Sequence, residues 1–294
     1  MATDQLSIKV AFIGLGVMGY PMAGHLQQKG LSVCVYNRNQ AKADAWVQQY
    51  GGTQATSPAT AAAEADLVML CVGNDQDVRS VVYGSNGVLS QMKAGAVLVD
   101  HTTASADLAR ELAAACASQQ LGFLDAPVSG GQIGAQNGLL TIMLGGDLAD
   151  FSKAEVALAC YARSYQLLGA AGSGQLAKMV NQICIAGVVQ GLAEALHFAT
   201  QAGLDAKSVL AVISKGAAQS WQMENRGHTM VDGQFNFGFA VDWMRKDLGI
   251  TLDEARKNGA QLPLTALVDQ FYAELQAQGG GRLDTSSLIK RFQS

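Results

Sequence analysis

Proline is scarce in this chain, 4 residues in 294. Charge is scarce too, at 15% of residues, where an average soluble protein has about 25%. Low charge combined with 49% apolar residues argues against intrinsic disorder, which needs the opposite balance. Glycine is plentiful at 33 residues, but it has no three-residue period. Collagen-like and proline-rich architectures are therefore excluded. Positive charge is not in excess, and the net charge is −4. That balance argues against a chain built to hold nucleic acid or an anionic membrane surface. Cys34, Cys71, Cys116, Cys160 and Cys184 form no Cys-x-x-Cys pair. An odd, dispersed set in a large chain argues against a disulfide framework or zinc ribbon, and a reducing, cytoplasmic setting is expected. His25, His101, His197 and His228 are scattered, and no metal site is expected. Residues 1–9 carry no long apolar run, so they do not read as a secretory signal. The longest apolar stretch, residues 183–189, falls far short of the ~20 residues of a membrane span.

What is present is an alternation. Short apolar runs at residues 10–13, 31–36, 67–72, 96–100, 123–125 and 140–144 read as strands. Helical patterns at 20–29, 40–49 and 105–119 separate them. Uninterrupted apolar strands are covered on both faces, and repeated βα units mean a mostly parallel, doubly wound sheet. The pattern changes near Gly169-Ala-Ala-Gly172. Residues 174–202 are helix-compatible without a proline, and helical patterns follow at 205–214, 242–257, 265–278 and 286–292. The expected fold is α/β, a Rossmann-type sheet over residues 1–170 followed by an all-α domain over residues 171–294.

The first strand runs into Gly14-Leu15-Gly16-Val17-Met18-Gly19, a G-x-G-x-x-G sequence opening a helix. Gly14 permits the tight turn, Gly16 lets backbone approach a pyrophosphate, and Gly19 lets helix pack on strand. The N–H groups of the helix start face the phosphates. A glycine-rich turn without a ligand is the plainer alternative. The second strand ends Val35-Tyr36-Asn37-Arg38, with no acid to bind a ribose 2′-hydroxyl. A guanidinium pairs with a 2′-phosphate where a carboxylate repels it. NADP(H) is therefore the expected cofactor, held by Arg38 with help from Asn37, and NAD(H) is a possible substitute. A solvated loop arginine is the plainer alternative.

Three further segments carry chemistry. In Asp125-Ala126-Pro127-Val128-Ser129-Gly130-Gly131, a hydroxyl and closely spaced N–H groups suit a small carboxylate. A simple strand-to-loop turn is the alternative. No G-x-S-x-G elbow surrounds Ser129, which disfavours a hydrolase. The long helix is apolar almost all round, as a buried helix would be, except at Lys178, Asn181 and Gln182. Spacings of three and four place those three on one face. A lysine beside amides in a poorly solvated site can serve as general acid and base. A lysine snorkelling from the first helical turn explains the same spacing. In the segment 237–248, Lys246 can reach an anionic ligand or simply belong to a solvated face. Trp221, Trp243, Phe235, Phe237 and Phe239 are read as packing the helical domain or lining its site, and Cys71 and Cys184 as core. Residues 216–224 are read as part of the substrate pocket.

In order along nearly the whole chain, GLGVMG, DHTT, DAPVSGG, GSGQLAKMVNQ, DWMRKDLG and AQLPLT resemble the β-hydroxyacid dehydrogenase family. That family includes 3-hydroxyisobutyrate dehydrogenase, tartronate semialdehyde reductase (2-hydroxy-3-oxopropionate reductase) and glyoxylate/succinic semialdehyde reductases. The resemblance implies that Lys178 is the catalytic lysine, with Asn181 orienting the reacting group. Family members commonly have Lys-x-x-Asn-Asn; the Lys178-x-x-Asn181-Gln182 version here resembles the tartronate semialdehyde branch. Ser129, Gly130 and Gly131 match the substrate-carboxylate loop, and Gln182 falls where an amide orients substrate. Thr103 matches a residue near the nicotinamide, Val72, Gly73 and Asn74 a loop beneath its ribose, and Lys246 a lysine near cofactor and substrate. The implied activity is NADP(H)-dependent hydride transfer to or from a small β-hydroxyacid or semialdehyde. A homodimer or homotetramer is implied, without nucleic-acid or membrane partners. An imine reductase of the same fold and a non-catalytic NADP(H)-binding sensor are the competing readings.

Overall fold

The computed structural model describes residues 8–292. They divide into two compact units, one ending at Lys178 and one starting at Met179. This division lies within the long helix, a little beyond residue 170, where the sequence pattern changes.

The first unit runs β1 (Lys9–Ile13), α1 (Gly19–Gln28), β2 (Ser32–Tyr36), α2 (Gln40–Tyr50), β3 (Thr53–Gln54), α3 (Pro58–Ala62), β4 (Leu67–Leu70), α4 (Asp75–Val82) and β5 (Val97–Asp100). It continues with α5 (Ala106–Ala117), β6 (Gly122–Asp125), β7 (Val128–Ser129), α6 (Gly131–Gln136), β8 (Leu140–Gly146), α7 (Leu148–Leu158) and β9 (Ala162–Leu167). The sheet order is β3-β2-β1-β4-β5-β6-β8-β7, with β9 pairing β8. Strands β1 to β6 pair in parallel, whereas β8 lies antiparallel to β6 and β7.

Alternation along each strand feeds two cores. Val10 and Phe12 pack into one with Val33, Val97 and Trp46. Ala11 and Ile13 pack into the other with Val68, Leu98 and Leu112. Burial on both faces explains why these strands read as continuous apolar runs. Helix starts are set by local chemistry. The side chains of Asn39, Ser57, Asn74 and Ser105 accept backbone N–H bonds at α2, α3, α4 and α5.

α8 (Ser173–Gln201) carries the chain onward into α9 (Ala206–Ile213), α10 (Trp221–Val231), α11 (Val241–Asn258) and α12 (Pro263–Ala277). Gly259, at φ +80°, ends α11 in the left-handed region, and Pro263 opens α12. Residues Thr285–Phe292 form a 3₁₀ turn, tighter than the helix expected there. The second unit has one core, in which Val189 and Leu196 of α8 meet Met244, Leu248, Val268 and Tyr272. Among the described residues beyond β9, the only strand-like pairing is an isolated bridge between Ala240 and Asp284.

α8 is not buried all round. Val180 is 62% exposed and Phe198 71%. Cys184, read from sequence as core, is exposed as well, because it shares the outward stripe of Val180 and Val188 at i, i+4 and i+8. Cys71 is half-buried.

Candidate active site

The loop after β1 has the shape a dinucleotide needs. Gly14 has φ +101°, and a Cβ there would overlap the Cys71 carbonyl of β4's following residue. A Cβ on Gly19 would overlap the Gly14 carbonyl, so close packing of α1 on the loop requires glycine. Gly16 is the opposite case: a Cβ there would meet nothing within 4 Å. The backbone at Gly16 is thus open to an approaching group. The start of α1 has no side-chain cap and no acid in its first turn. Those features fit a pyrophosphate on the positive end of the helix. Leu15 is buried, whereas Val17 is 62% exposed beside the loop. A hollow of about 400 Å³ is lined by Leu15, Gly16, Val17, Tyr20, Lys42 and Gln136. For the variant Gly14→Ala, dinucleotide binding is expected to weaken by more than roughly tenfold, because both left-handed backbone and contact with β4 oppose a side chain. Fluorescence titration with reduced cofactor measures it.

The end of β2 supports the loop. Asn37 Oδ1 accepts from the Leu15 N–H at 2.9 Å, and its Nδ2 donates to the Asn39 carbonyl. Asn37 therefore shapes the loop with its side chain. Arg38 has its side chain 91% exposed, 4.0 Å from Asp77 Oδ1. After β4, Val72 N–H donates to Thr102 Oγ1 at 3.1 Å. The Asn74 side chain caps α4 through the Asp77 N–H. The cap uses only Oδ1, so the Asn74 amide N–H groups and its main chain are what it can offer a ligand.

The adjacent ends of β5 and β6 hold a polar cluster that the sequence reading missed. Asp100 and Asp125 are register partners on parallel strands. Asp125 Oδ1 accepts from Gly172 N–H at 2.7 Å, and its Oδ2 from Gln175 N–H at 2.8 Å. This carboxylate anchors the start of α8. Burial raises its pKa, and the N–H groups it receives pull it back. The room is made by glycines: a Cβ on Gly145 would sit 2.5 Å from Asp125 Oδ1, and one on Gly174 2.5 Å from the Met143 carbonyl. Gln175, 1% exposed, donates through Nε2 to the Thr102 carbonyl and accepts through Oε1 from Ala104 N–H. One turn further on, Lys178 is 7% exposed, and its ammonium donates to the Val128 carbonyl at 2.9 Å. Ser129 follows directly. Gly130 and Gly131 take φ +127° and +60°, a succession that favours glycine.

His101 is a structural residue of this cluster. Its Nδ1 lies 2.7 Å from the Ala126 carbonyl, which only accepts, so Nδ1 carries the proton. Its Nε2 then accepts from Tyr161 Oη at 2.8 Å. Burial pushes the imidazole pKa down to about 4. Burial also pushes Asp100 up to about 7, despite the Thr102 N–H it accepts. The two act on stability with opposite signs. Unfolded His101 takes a proton near its ordinary pKa of about 6.5 and the folded ring near about 4, so its contribution is lost as pH falls through that window. Folded Asp100 keeps its proton up to about 7, so its contribution is lost as pH rises. A comparison with His101→Gln isolates the histidine. Relative to that variant, the wild type is expected to lose about 3 kcal/mol between pH 6.5 and 4 in urea unfolding.

In the second unit, the Asn181 side chain donates to Gln182 Oε1 at 2.8 Å. Gln182, 3% exposed, donates in turn to Asp247 Oδ2 at 2.7 Å. Lys246 Nζ lies 3.2 Å from Asp247 Oδ1 and 5.8 Å from the Trp243 ring centroid. The structure thus joins Asn181, Gln182 and Lys246 through a buried carboxylate, Asp247, that the sequence reading passed over. Its adjacency to Lys246 in an otherwise charged stretch hid it; only the turn of α11 brings it to Gln182.

A glycine loop built for a dinucleotide, on a doubly wound sheet followed by a helical unit, defines the class: NAD(P)-dependent oxidoreductases. The particular family follows from comparison with known proteins. Residues 9–169 match the NAD binding domain of 6-phosphogluconate dehydrogenase, and residues 172–292 the NAD-binding domain of NADP-dependent 3-hydroxyisobutyrate dehydrogenase. An uncharacterized oxidoreductase of Shewanella frigidimarina is 65% identical, covering 97% of this chain and 98% of its own. The 2-hydroxy-3-oxopropionate reductase of Escherichia coli is 32% identical, covering 97% of both. The structure of Mycobacterium tuberculosis 3-hydroxyisobutyrate dehydrogenase with L-serine aligns at TM-score 0.88 and 32% identity, over 98% of this chain and 100% of that one. The chain belongs to the β-hydroxyacid dehydrogenase family, and it is an NAD(P)-dependent dehydrogenase acting on a small molecule.

Proposed function

We propose that this protein is an NADP(H)-dependent reductase of small β-hydroxyacid semialdehydes, of the tartronate semialdehyde or 3-hydroxyisobutyrate type, with Lys178 as general acid and base. The observation that carries the reading is the placement of Lys178: buried, hydrogen-bonded to Val128, and next to the Ser129-Gly130-Gly131 loop. When bound, the cofactor supplies a hydride to the aldehyde carbon. Lys178 gives a proton to the oxygen on which negative charge develops, and takes it back in the oxidative direction. The N–H groups of Gly130 and Gly131 and the Ser129 hydroxyl hold the substrate carboxylate. Asn181 orients the reacting group, and Gln182 and Lys246 bind substrate, both held by Asp247. Leu15, Gly16, Val17 and Met18 offer backbone to the pyrophosphate, framed by Gly14 and Gly19. Val72, Gly73, Asn74, Thr103 and Lys246 contact the nicotinamide half. Arg38 pairs with a 2′-phosphate, and Asn37 fixes the loop beside it.

The outward apolar stripe of α8 supports a homodimer or homotetramer, since Val180, Val188 and Phe198 stay exposed in one chain. The test is a panel of three- to six-carbon semialdehydes, run with NADPH and with NADH while the absorbance of the reduced nicotinamide is followed. Turnover with carboxylate-bearing aldehydes, faster with NADPH, is the expected result. Cofactor binding without turnover across the panel would reject the enzyme reading in favour of a sensor. Turnover only when an amine is added would favour imine reduction.

A further inference from the structure

Gln175 makes no contact that the reaction above requires, yet it is among the most buried polar residues of the chain. Its carboxamide grips two peptide groups at once. Nε2 donates to the Thr102 carbonyl at 2.8 Å, and Oε1 accepts from Ala104 N–H at 3.0 Å. Those two groups flank Thr103. The other side of the same loop is held by Thr102 N–H on Asp100 Oδ1 and by Val72 N–H on Thr102 Oγ1. The Gln175 main chain is fixed independently, by its N–H on Asp125 Oδ2. Lys178 stands three residues on, about 4.5 Å along the axis of the same helix. One side chain therefore ties the loop that bears Thr103 to the helical turn that bears the lysine.

We propose that Gln175 is a positioning residue: it sets the separation of Thr103 and Lys178, and through it the alignment of hydride and proton delivery. This rests on the proposed roles of those two residues. Two carboxamide bonds with opposite polarity define both the distance and the tilt of the loop. An apolar residue of the same length fills the space without defining either. Misplacement by about 1 Å in a site of this kind costs up to roughly 10²-fold in rate.

The experiment uses the whole protein, NADPH and the best semialdehyde of the panel. For Q175M, kcat is expected to fall roughly 10- to 100-fold, while the substrate KM and the NADPH dissociation constant stay within about threefold. The primary isotope effect with 4-deuterated NADPH is expected to rise, because hydride transfer becomes the slow step. A merely structural role lowers the active fraction and the melting temperature, and leaves the isotope effect alone. Q175E supplies the second arm. Its carboxylate accepts from Ala104 N–H, but it faces the Thr102 carbonyl and only its protonated form donates there. Asp125 on β6 and Asp75 on α4 favour that protonated form, joined by Asp100 on β5 only above about pH 7; Lys178 on α8 opposes it, and His101 is neutral above about pH 4. The kcat of Q175E relative to wild type is therefore expected to recover as pH falls. Q175M with wild-type kcat per active site and an unchanged isotope effect would overturn the proposal. If Q175M fails to fold, a Q175E profile parallel to wild type overturns it instead. Wild-type protein without turnover, or Lys178→Ala with full turnover, would defeat the underlying reading itself, a result distinct from normal Q175M kinetics.

Discussion

Lys178→Ala is expected to lower kcat by roughly 10²-fold or more, the range of a lost general acid, with NADPH binding unchanged. The expectation follows from where the ammonium sits. It is 7% exposed, on the second turn of a helix whose start is fixed by Asp125, and it points to the Val128 carbonyl at the head of the Ser129-Gly130-Gly131 loop. Alanine leaves one carbonyl without a partner, a modest penalty of about 1–3 kcal/mol that a two-domain protein tolerates. The fold and the glycine loop are unaffected, so cofactor titration reports an unchanged dissociation constant. On the proposed role of Lys178, the chemical step is expected to lose its proton donor, which solvent replaces poorly. Lys178→Arg is an informative companion, because arginine keeps the charge but does not release a proton at accessible pH. If charge alone sufficed, arginine would restore turnover; a general acid predicts that it does not. Single-turnover kinetics separates this from slow release, and near wild-type turnover of the alanine variant would refute the role.

Arg38→Asp is expected to reduce the ratio of kcat/KM for NADPH over NADH by roughly 10²-fold, through loss of a charge-assisted bond and gain of repulsion. Three observations combine. β2 ends at Tyr36 without an acid behind it. Asn37 is committed to the Leu15 N–H, so Arg38 is the next side chain able to meet a phosphate. Its side chain is 91% exposed, and its acidic neighbour Asp77 is 4.0 Å away. A solvent-exposed pair of that length is worth little, and a phosphate outcompetes it. Rates with NADH change far less, since a ribose hydroxyl has no charge to lose. A ratio unchanged by the substitution would remove Arg38 from the proposed cofactor site, and the proposed NADP preference with it.

The elements that sequence shows most clearly are those whose own residues decide them. β4 is apolar throughout, and β1 and β5 are apolar except at Lys9 and Asp100, because both faces are covered. Gly14, Gly16 and Gly19 are informative because their spacing serves backbone geometry. The short elements, β3, β7, α3 and α6, have too few residues for a period to register. Nothing local tells that β8 runs against β6; that direction is a property of the connection. The Gln175 clasp joins residues 71 and 73 positions apart, and Asp125 reaches 47 and 50 positions forward. Such long-range side chain to backbone bonds leave no periodic trace. Cys184 was misread for the converse reason: an apolar run on a long helix looks like core, although one stripe of it faces outward.

The joint of α8 with the strands also bears on how this scaffold can diversify. The helix that carries the lysine is seated by main-chain N–H groups on one carboxylate, with Gly145 and Gly174 leaving no room for a side chain. Its placement is therefore indifferent to the bulk or polarity of residues further along the chain. Mutational libraries can therefore rewrite the helical half without moving Lys178. The same libraries will find positions 125, 145 and 174 nearly immutable, and a designer does best to leave them alone.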